Sequence, residues 1–130
     1  MYFIPICLLT CWWCYLFDLE KMIVLILIFF AARFNAVMDK TKDTIQYNSS
    51  QFRGLNPYFW NDEAWNGKFI TGTEYKANAW HISKSLMLLC LLAVPFFYKP
   101  ILGYLDYLIF GFEWIVIFNL FYNKILKFKP

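Results

Sequence analysis

The sequence predicts an all-α integral membrane bundle of three to four transmembrane helices, with an aromatic-rich interfacial segment between the second and third. Three observations predict it. Hydrophobic residues make up 61% and charged residues 16% of the 130-residue chain, against roughly half and about 25% in a water-soluble domain. The apolar residues come in four long runs, with no strand-like alternation. Aromatic residues, 23% of the chain, crowd the polar stretch between the runs, and membrane–water interfaces favour Trp and Tyr. The same composition excludes a disordered tail and a disulfide scaffold. The net charge of +3 is carried by the last third of the chain, with Lys124, Lys127 and Lys129 at its end. That is a basic anchor after an apolar helix, too small for a nucleic-acid footprint.

The first predicted helix is 2–17, an apolar run broken only by Thr10. Cys7, Cys11 and Cys14 share one helical face in it. With Cys90 they lie inside apolar runs and read as small packing residues, not as thiolate ligands. Asp18-Leu19-Glu20-Lys21 is a turn, and the second helix is predicted over 22–38. Sixteen or seventeen residues rise roughly 24–26 Å, slightly short of a hydrocarbon core of about 30 Å. A start of translation at Met22 would leave three spans. Residues 39–77 form the interfacial segment, with turn chemistry at Asn48-Ser49-Ser50, Asn56-Pro57, Asn66-Gly67 and Thr71-Gly72-Thr73. The third helix is predicted over 78–98, where Pro95 is tolerated in a membrane. Tyr98-Lys99-Pro100 breaks the chain, and the fourth helix runs over 101–123 through Asp106, Glu113 and Asn119. Residues 1–130 read as a single membrane domain.

Lysine counting sets the orientation. With either span number the interfacial segment and the tail share one side. That side holds Lys40, Lys42, Arg53, Lys68, Lys76, Lys124, Lys127 and Lys129, against Lys21 and Lys99 opposite. Residues 39–77 and the C-terminus are therefore expected in the cytoplasm, as in a bacterial inner-membrane protein.

Ionisable residues in membrane helices are rare and functional by default. Asn35 and Asp39 stand one turn apart on the second helix; Asn78, His81 and Lys84 surround the start of the third. The topology puts both sets at one face of the membrane. Asp39 beside His81 would make a general base with an orienting partner, and Lys84 would hold a phosphate. Asp39, His81 and Lys84 are thus the candidate catalytic residues, with Asn35, Trp60, Trp65 and Trp80 as the substrate-binding walls. The same residues also read blandly: Asp39 solvated at a helix end, His81 interfacial, Lys84 snorkelling. Deeper in the bilayer, Arg33 and Glu113 are expected to form a buried structural pair, since either alone is strongly disfavoured.

No metal or cofactor is expected. One histidine gives no zinc-type spacing, five glycines without a G-x-G leave no nucleotide loop, and no serine elbow is present.

The strings Phe34-Asn35-Ala36-Val37-Met38-Asp39, Leu55-Asn56-Pro57-Tyr58-Phe59-Trp60, Trp65-Asn66-Gly67-Lys68-Phe69 and Ala79-Trp80-His81 with Lys84 resemble a family of small uncharacterised membrane proteins of gut-type bacteria and their phages. The likeness covers roughly Met22 to Lys84. The family pattern has an aspartate where this chain has Asn78, and Lys-Tyr where it has Lys68-Phe69; the first departure removes an acidic role at position 78. The resemblance implies a membrane location and no particular reaction. A more distant likeness is to membrane enzymes that gather Asp, His and Lys at one leaflet to act on lipid head groups, an analogy at fold level. Two functions follow as expectations. One is a structural or interaction protein, such as a phage or mobile-element accessory, whose partners are membrane lipids, a second copy or another membrane protein. The other is a hydrolase or transferase acting on lipid head groups. No nucleic-acid partner is expected.

Overall fold

The structure, a computed structural model, describes residues 19–64 and 78–129. The first predicted helix, 2–17, and Trp65 lie outside the described residues. What is described is helical, with no strand; one isolated antiparallel bridge joins Ser50 to Lys127.

Helix α1, Leu19–Thr41, is built on the apolar run that begins at Met22. It outlasts the predicted 22–38 at both ends. At the far end the Thr41 hydroxyl donates to the carbonyls of Val37 (3.0 Å) and Met38 (3.2 Å), satisfying acceptors that a helix end leaves open. Asp43 then stops the helix and starts the next, its carboxylate accepting the Gln46 N–H at 2.8 Å to cap α2, Thr44–Asn48. A turn through Gly54, whose φ of +87° suits glycine, leads to α3, Pro57–Trp60, capped by Asn56. The expected interfacial segment is therefore folded over its described part. Phe52 stacks on Trp60 at 4.4 Å between centroids, and Phe59 meets Trp60 edge-on at 5.0 Å. Glu63, in a 3-10 turn over Asp62–Ala64, accepts from the Thr44 amide and hydroxyl at 2.9 and 2.8 Å.

Helix α4, Ala79–Phe97, matches its predicted run, with Pro95 in the last turn. The fourth run departs from the expected continuous helix. Its first residues form a turn with a 3-10 stretch, Gly103–Leu105, before α5, Asp106–Leu120, and a π-turn over Phe121–Ile125. The cause is the Asp106 side chain. It is 1% exposed and accepts from the Leu102 amide (2.7 Å), the Ile101 amide (2.9 Å) and the Tyr98 hydroxyl (2.9 Å). These bonds curl the chain back upon itself, and Gly103 supplies the φ of +69° the curl requires.

Helix α1 is the centre. It packs along α4 and, less extensively, along α5, whereas α4 and α5 scarcely approach each other. Ala31, Ala32 and Ala36 of α1 are fully buried, as are nearly Ala79 and Ser83 of α4; small side chains let backbones close in, the usual way helices associate in lipid. Most of the large apolar side chains of α4 and α5 face outward, among them Leu89, Leu92, Phe96, Leu108, Phe112 and Ile115. Among the described residues three helices are long and apolar enough to cross a membrane: Lys21–Thr41, Ala79–Phe97 and Gly103–Ile125. A 21-residue helix rises about 31 Å, the thickness of a hydrocarbon core. The three run so that the end of α1, the start of α4 and the end of α5 meet at one pole, here the cap pole. The start of α1, the end of α4 and the Asp106 turn meet at the other, the turn pole. The tail is sewn to the middle segment at the cap pole: Gln51 N–H donates to Leu126 O and Phe128 N–H to Ser49 O, both at 2.9 Å. The Tyr122 hydroxyl donates to Gln46 Oε1 at 2.7 Å.

Candidate functional site

The polar cluster nearest to a chemical site lies at the cap pole, at the start of α4. Asn78 is fully buried and caps that helix. Its Oδ1 accepts the His81 backbone N–H at 3.0 Å and lies 2.9 Å from His81 Nδ1. Its Nδ2 donates to Asp62 Oδ1 at 2.6 Å, and His81 Nδ1 stands 3.5 Å from that same oxygen. These contacts fix the tautomer. Asn78 Oδ1 already accepts from the backbone and Asp62 Oδ1 accepts from Asn78, so both oxygens facing Nδ1 are acceptors and Nδ1 carries the proton. Neutral His81 therefore keeps its lone pair on Nε2. On the same helix Trp80 meets His81 edge-on at 4.7 Å between centroids, and Lys84 Nζ lies 4.8 Å over the Trp80 ring.

His81, Lys84 and Trp80 are thus gathered, as the spacing from α4 suggests. The carboxylate beside His81, however, is Asp62, where helix-end reasoning put Asp39. Asp39 and Asn35 are half-buried on α1, one turn apart. Trp60 belongs to the Phe52–Phe59–Trp60 aromatic stack, and Trp65 falls outside the described residues. Asp62 and its bond to Asn78 were missed by sequence reasoning. The available signal was Asn61-Asp62-Glu63 directly after an aromatic string. Asn61 donates to the Thr44 hydroxyl at 3.0 Å, with its own Oδ1 taking the Glu63 N–H at 3.1 Å, so this turn is pinned against α2 and can present Asp62 to α4.

The expected buried pair of Arg33 and Glu113 is not formed among the described residues. Arg33 is exposed on the outer stripe of α1 with Leu19, Ile26 and Phe30, and its guanidinium lies 5.3 Å over the Phe121 ring. Glu113 Oε2 is buried with no hydrogen-bond partner. The Phe29–Arg33 stretch of α1 lies beside Phe121, and Glu113 is eight residues back along the chain, about 12 Å by helix rise, so the two side chains stand at different depths.

In chemical terms the cap geometry holds the His81 ring still against the Asp62 carboxylate. Among the described residues, clefts of about 360 and 240 Å³ lie at the turn pole. The larger is lined by Val94, Pro95, Tyr98, Tyr107 and Phe110, the smaller by Ile23, Phe96, Phe97, Tyr98 and Lys99. They are mainly apolar and stand at the other end of α4 from His81. Among the described residues no group of His, Cys, Asp and Glu is placed to hold a metal ion.

No family model, no curated protein and no solved structure matches the chain.

Proposed function

We propose that the chain is a small polytopic membrane protein that acts through contacts with lipids and with other membrane helices, without turning over a substrate. One observation carries this reading: the polar groups at the cap pole are engaged in holding the fold. Asn78 caps α4, Asp62 ties the middle segment to Asn78, and Glu63 ties it to Thr44. The outward surface of α4 and α5 is meanwhile almost wholly apolar, which suits lipid or a partner helix. We also place the cap pole in the cytoplasm of a bacterial inner membrane. Lysine counting supports that side, and the seam between residues 49–51 and 126–128 supports a shared side for segment and tail. A reporter fused to the C-terminus and active only outside the cytoplasm should stay silent; a signal from it overturns the orientation.

A lipid-headgroup hydrolase or transferase is the second reading. It is favoured by one contact, His81 Nδ1 at 3.5 Å from Asp62, with Lys84 as the phosphate holder one turn along α4. Comparing lipid extracts of cells expressing the wild type and His81→Ala separates the two. Unchanged lipid profiles in both are expected. A lipid species that the wild type converts and His81→Ala leaves intact would establish the enzyme.

A further inference from the structure

We infer that two copies of this chain pair in the membrane through α5, along an outward stripe of Leu108, Phe112, Ile115 and Asn119, with the Asn119 amides bonded to each other across a two-fold axis. The inference rests on the membrane reading above and names the partner helix as α5 of a second copy.

A polar group on the outer side of a span carries it. Asn119 is exposed on α5, about 9 Å inside the cap-pole end of the span Gly103–Ile125. Its Nδ2 donates to Ile115 O at 2.8 Å, and its Oδ1 accepts from Asn123 Nδ2 at 3.1 Å. An amide nitrogen carries two N–H donors. One N–H on each side chain, and the Asn123 Oδ1, therefore stay open among the described residues. Hydrocarbon cannot answer them, and open amide groups at that depth are unfavourable. Helix α1 cannot answer them either, because it packs on the other side of α5. Phe121, about 200° round the helix from Asn119, meets Phe29 of α1 at 6.0 Å between centroids. The outward side chains of α4, such as Leu88, Leu89, Leu92 and Phe96, are hydrocarbon throughout, and lipid satisfies them. Only α5 presents amides on its outer side together with an apolar stripe.

Complementarity points to a second copy as the occupant. Copies of one chain insert in one orientation, so their α5 helices stand parallel and a two-fold axis along the membrane normal brings Asn119 to one depth. An amide is donor and acceptor at once, so Asn119 is complementary to itself, where a lysine or a carboxylate would repel its twin. Leu108, Phe112, Ile115 and Asn119 alternate in steps of four and three residues, the contact line of two helices running side by side, in which a lone asparagine fixes register. The three apolar members are each more than half exposed. No charge lies on the line to oppose pairing: Glu113 buries its Oε2, and Lys124 stands at the end of the span. At the edge of the line Gly111 has open space where a Cβ would stand, which lets a neighbouring backbone come close.

The test uses the full chain in phosphatidylcholine vesicles, half of it carrying a donor and half an acceptor fluorophore at the C-terminus. Energy transfer is followed as lipid is added at constant protein, and it should persist well above the level of random encounter. Asn119→Leu removes the amides and keeps an apolar outer side chain. It should weaken association about tenfold, since two symmetric bonds are lost, each a factor of roughly three. Ile115→Trp should weaken it by holding the backbones apart. Leu92→Trp, the like change on the outer side of α4, should leave it unchanged. All three positions are exposed, so each variant keeps the packing of the single chain. A wild type that stays monomeric overturns the proposal and leaves the stripe to lipid, to another protein or to residues 1–18. Dimers that withstand either α5 variant, or that weaken equally in Leu92→Trp, place the contact elsewhere and overturn it too. Lipid conversion that His81→Ala abolishes would refute the non-enzymatic reading and leave a dimer standing; monomers without lipid conversion would do the reverse, so the two fail separately.

Discussion

Asp106 and Glu113 lie two turns apart on one face of α5, yet the chain treats them in opposite ways. Asp106 begins the helix and is surrounded by donors: two amides and a phenol reach it within 2.9 Å. Glu113 sits mid-helix, with Oε2 buried and unpartnered. At a helix start the chain can curl so that its own N–H groups turn toward a carboxylate. In mid-helix every backbone N–H is already bonded within the helix, so only another side chain could answer. A carboxylate is thus structural at a turn and a liability in a span, though the residue type and the helix face are the same.

The sharpest way to break this contrast is Asp106→Ala. It should strand two buried amides and the Tyr98 hydroxyl, costing about 3–5 kcal/mol. Denaturant unfolding in detergent measures it, and a loss below about 1 kcal/mol would show that the turn closes without the carboxylate. Glu113→Leu should move stability the other way, by about 1 kcal/mol upward, since it removes a carboxyl whose buried oxygen has no partner. Clear destabilisation in the same assay would mean that Glu113 is paired after all. The smallest effect concerns an exposed carboxylate with good donors. Hydrogen bonds from the Thr44 amide and hydroxyl hold the Glu63 carboxyl below its ordinary value near 4.5. A group with a depressed folded pKa stabilises fully above its unfolded value and loses that contribution as pH falls through the folded one. Protection of the Thr44 amide, relative to its intrinsic exchange rate, should therefore fall only as the pH drops below Glu63's ordinary range; protection unchanged through that range would remove Glu63 from the account.

The helices were largely legible because hydrophobicity over 20 residues is a summed signal. The runs beginning at Met22 and Leu86 mark α1 and α4 whatever their partners. The extension of α1 to Thr41 was hidden in a single hydroxyl that bonds back one turn. The turn before α5 was hidden more deeply, because Ile101 and Leu102 are apolar and read as helix; only the distant acceptance by Asp106 makes them turn. At the candidate site, the Asn78–His81 contact could be read from i, i+3 spacing. Asp62 was visible only as part of the Asn61-Asp62-Glu63 turn, since nothing in the pattern says that this turn meets a residue 16 positions further on. The expected pairing of Arg33 with Glu113 failed because the register between helices cannot be read from one sequence: Arg33 lies level with Phe121, two turns beyond Glu113, on a stripe with the exposed Leu19, Ile26 and Phe30.

The sandwiching of α1 between two helices that scarcely meet has a mechanical consequence. Tilting or rotating that one axle would carry both flanking rods with it, while a push on either rod alone would be transmitted to the other only through the axle or the short tether around Asp106. A signal received on the outer surface of α4 and read out on α5 would have to cross the alanine-lined spine of Ala31, Ala32 and Ala36, where the tight backbone approach leaves little slack to absorb it.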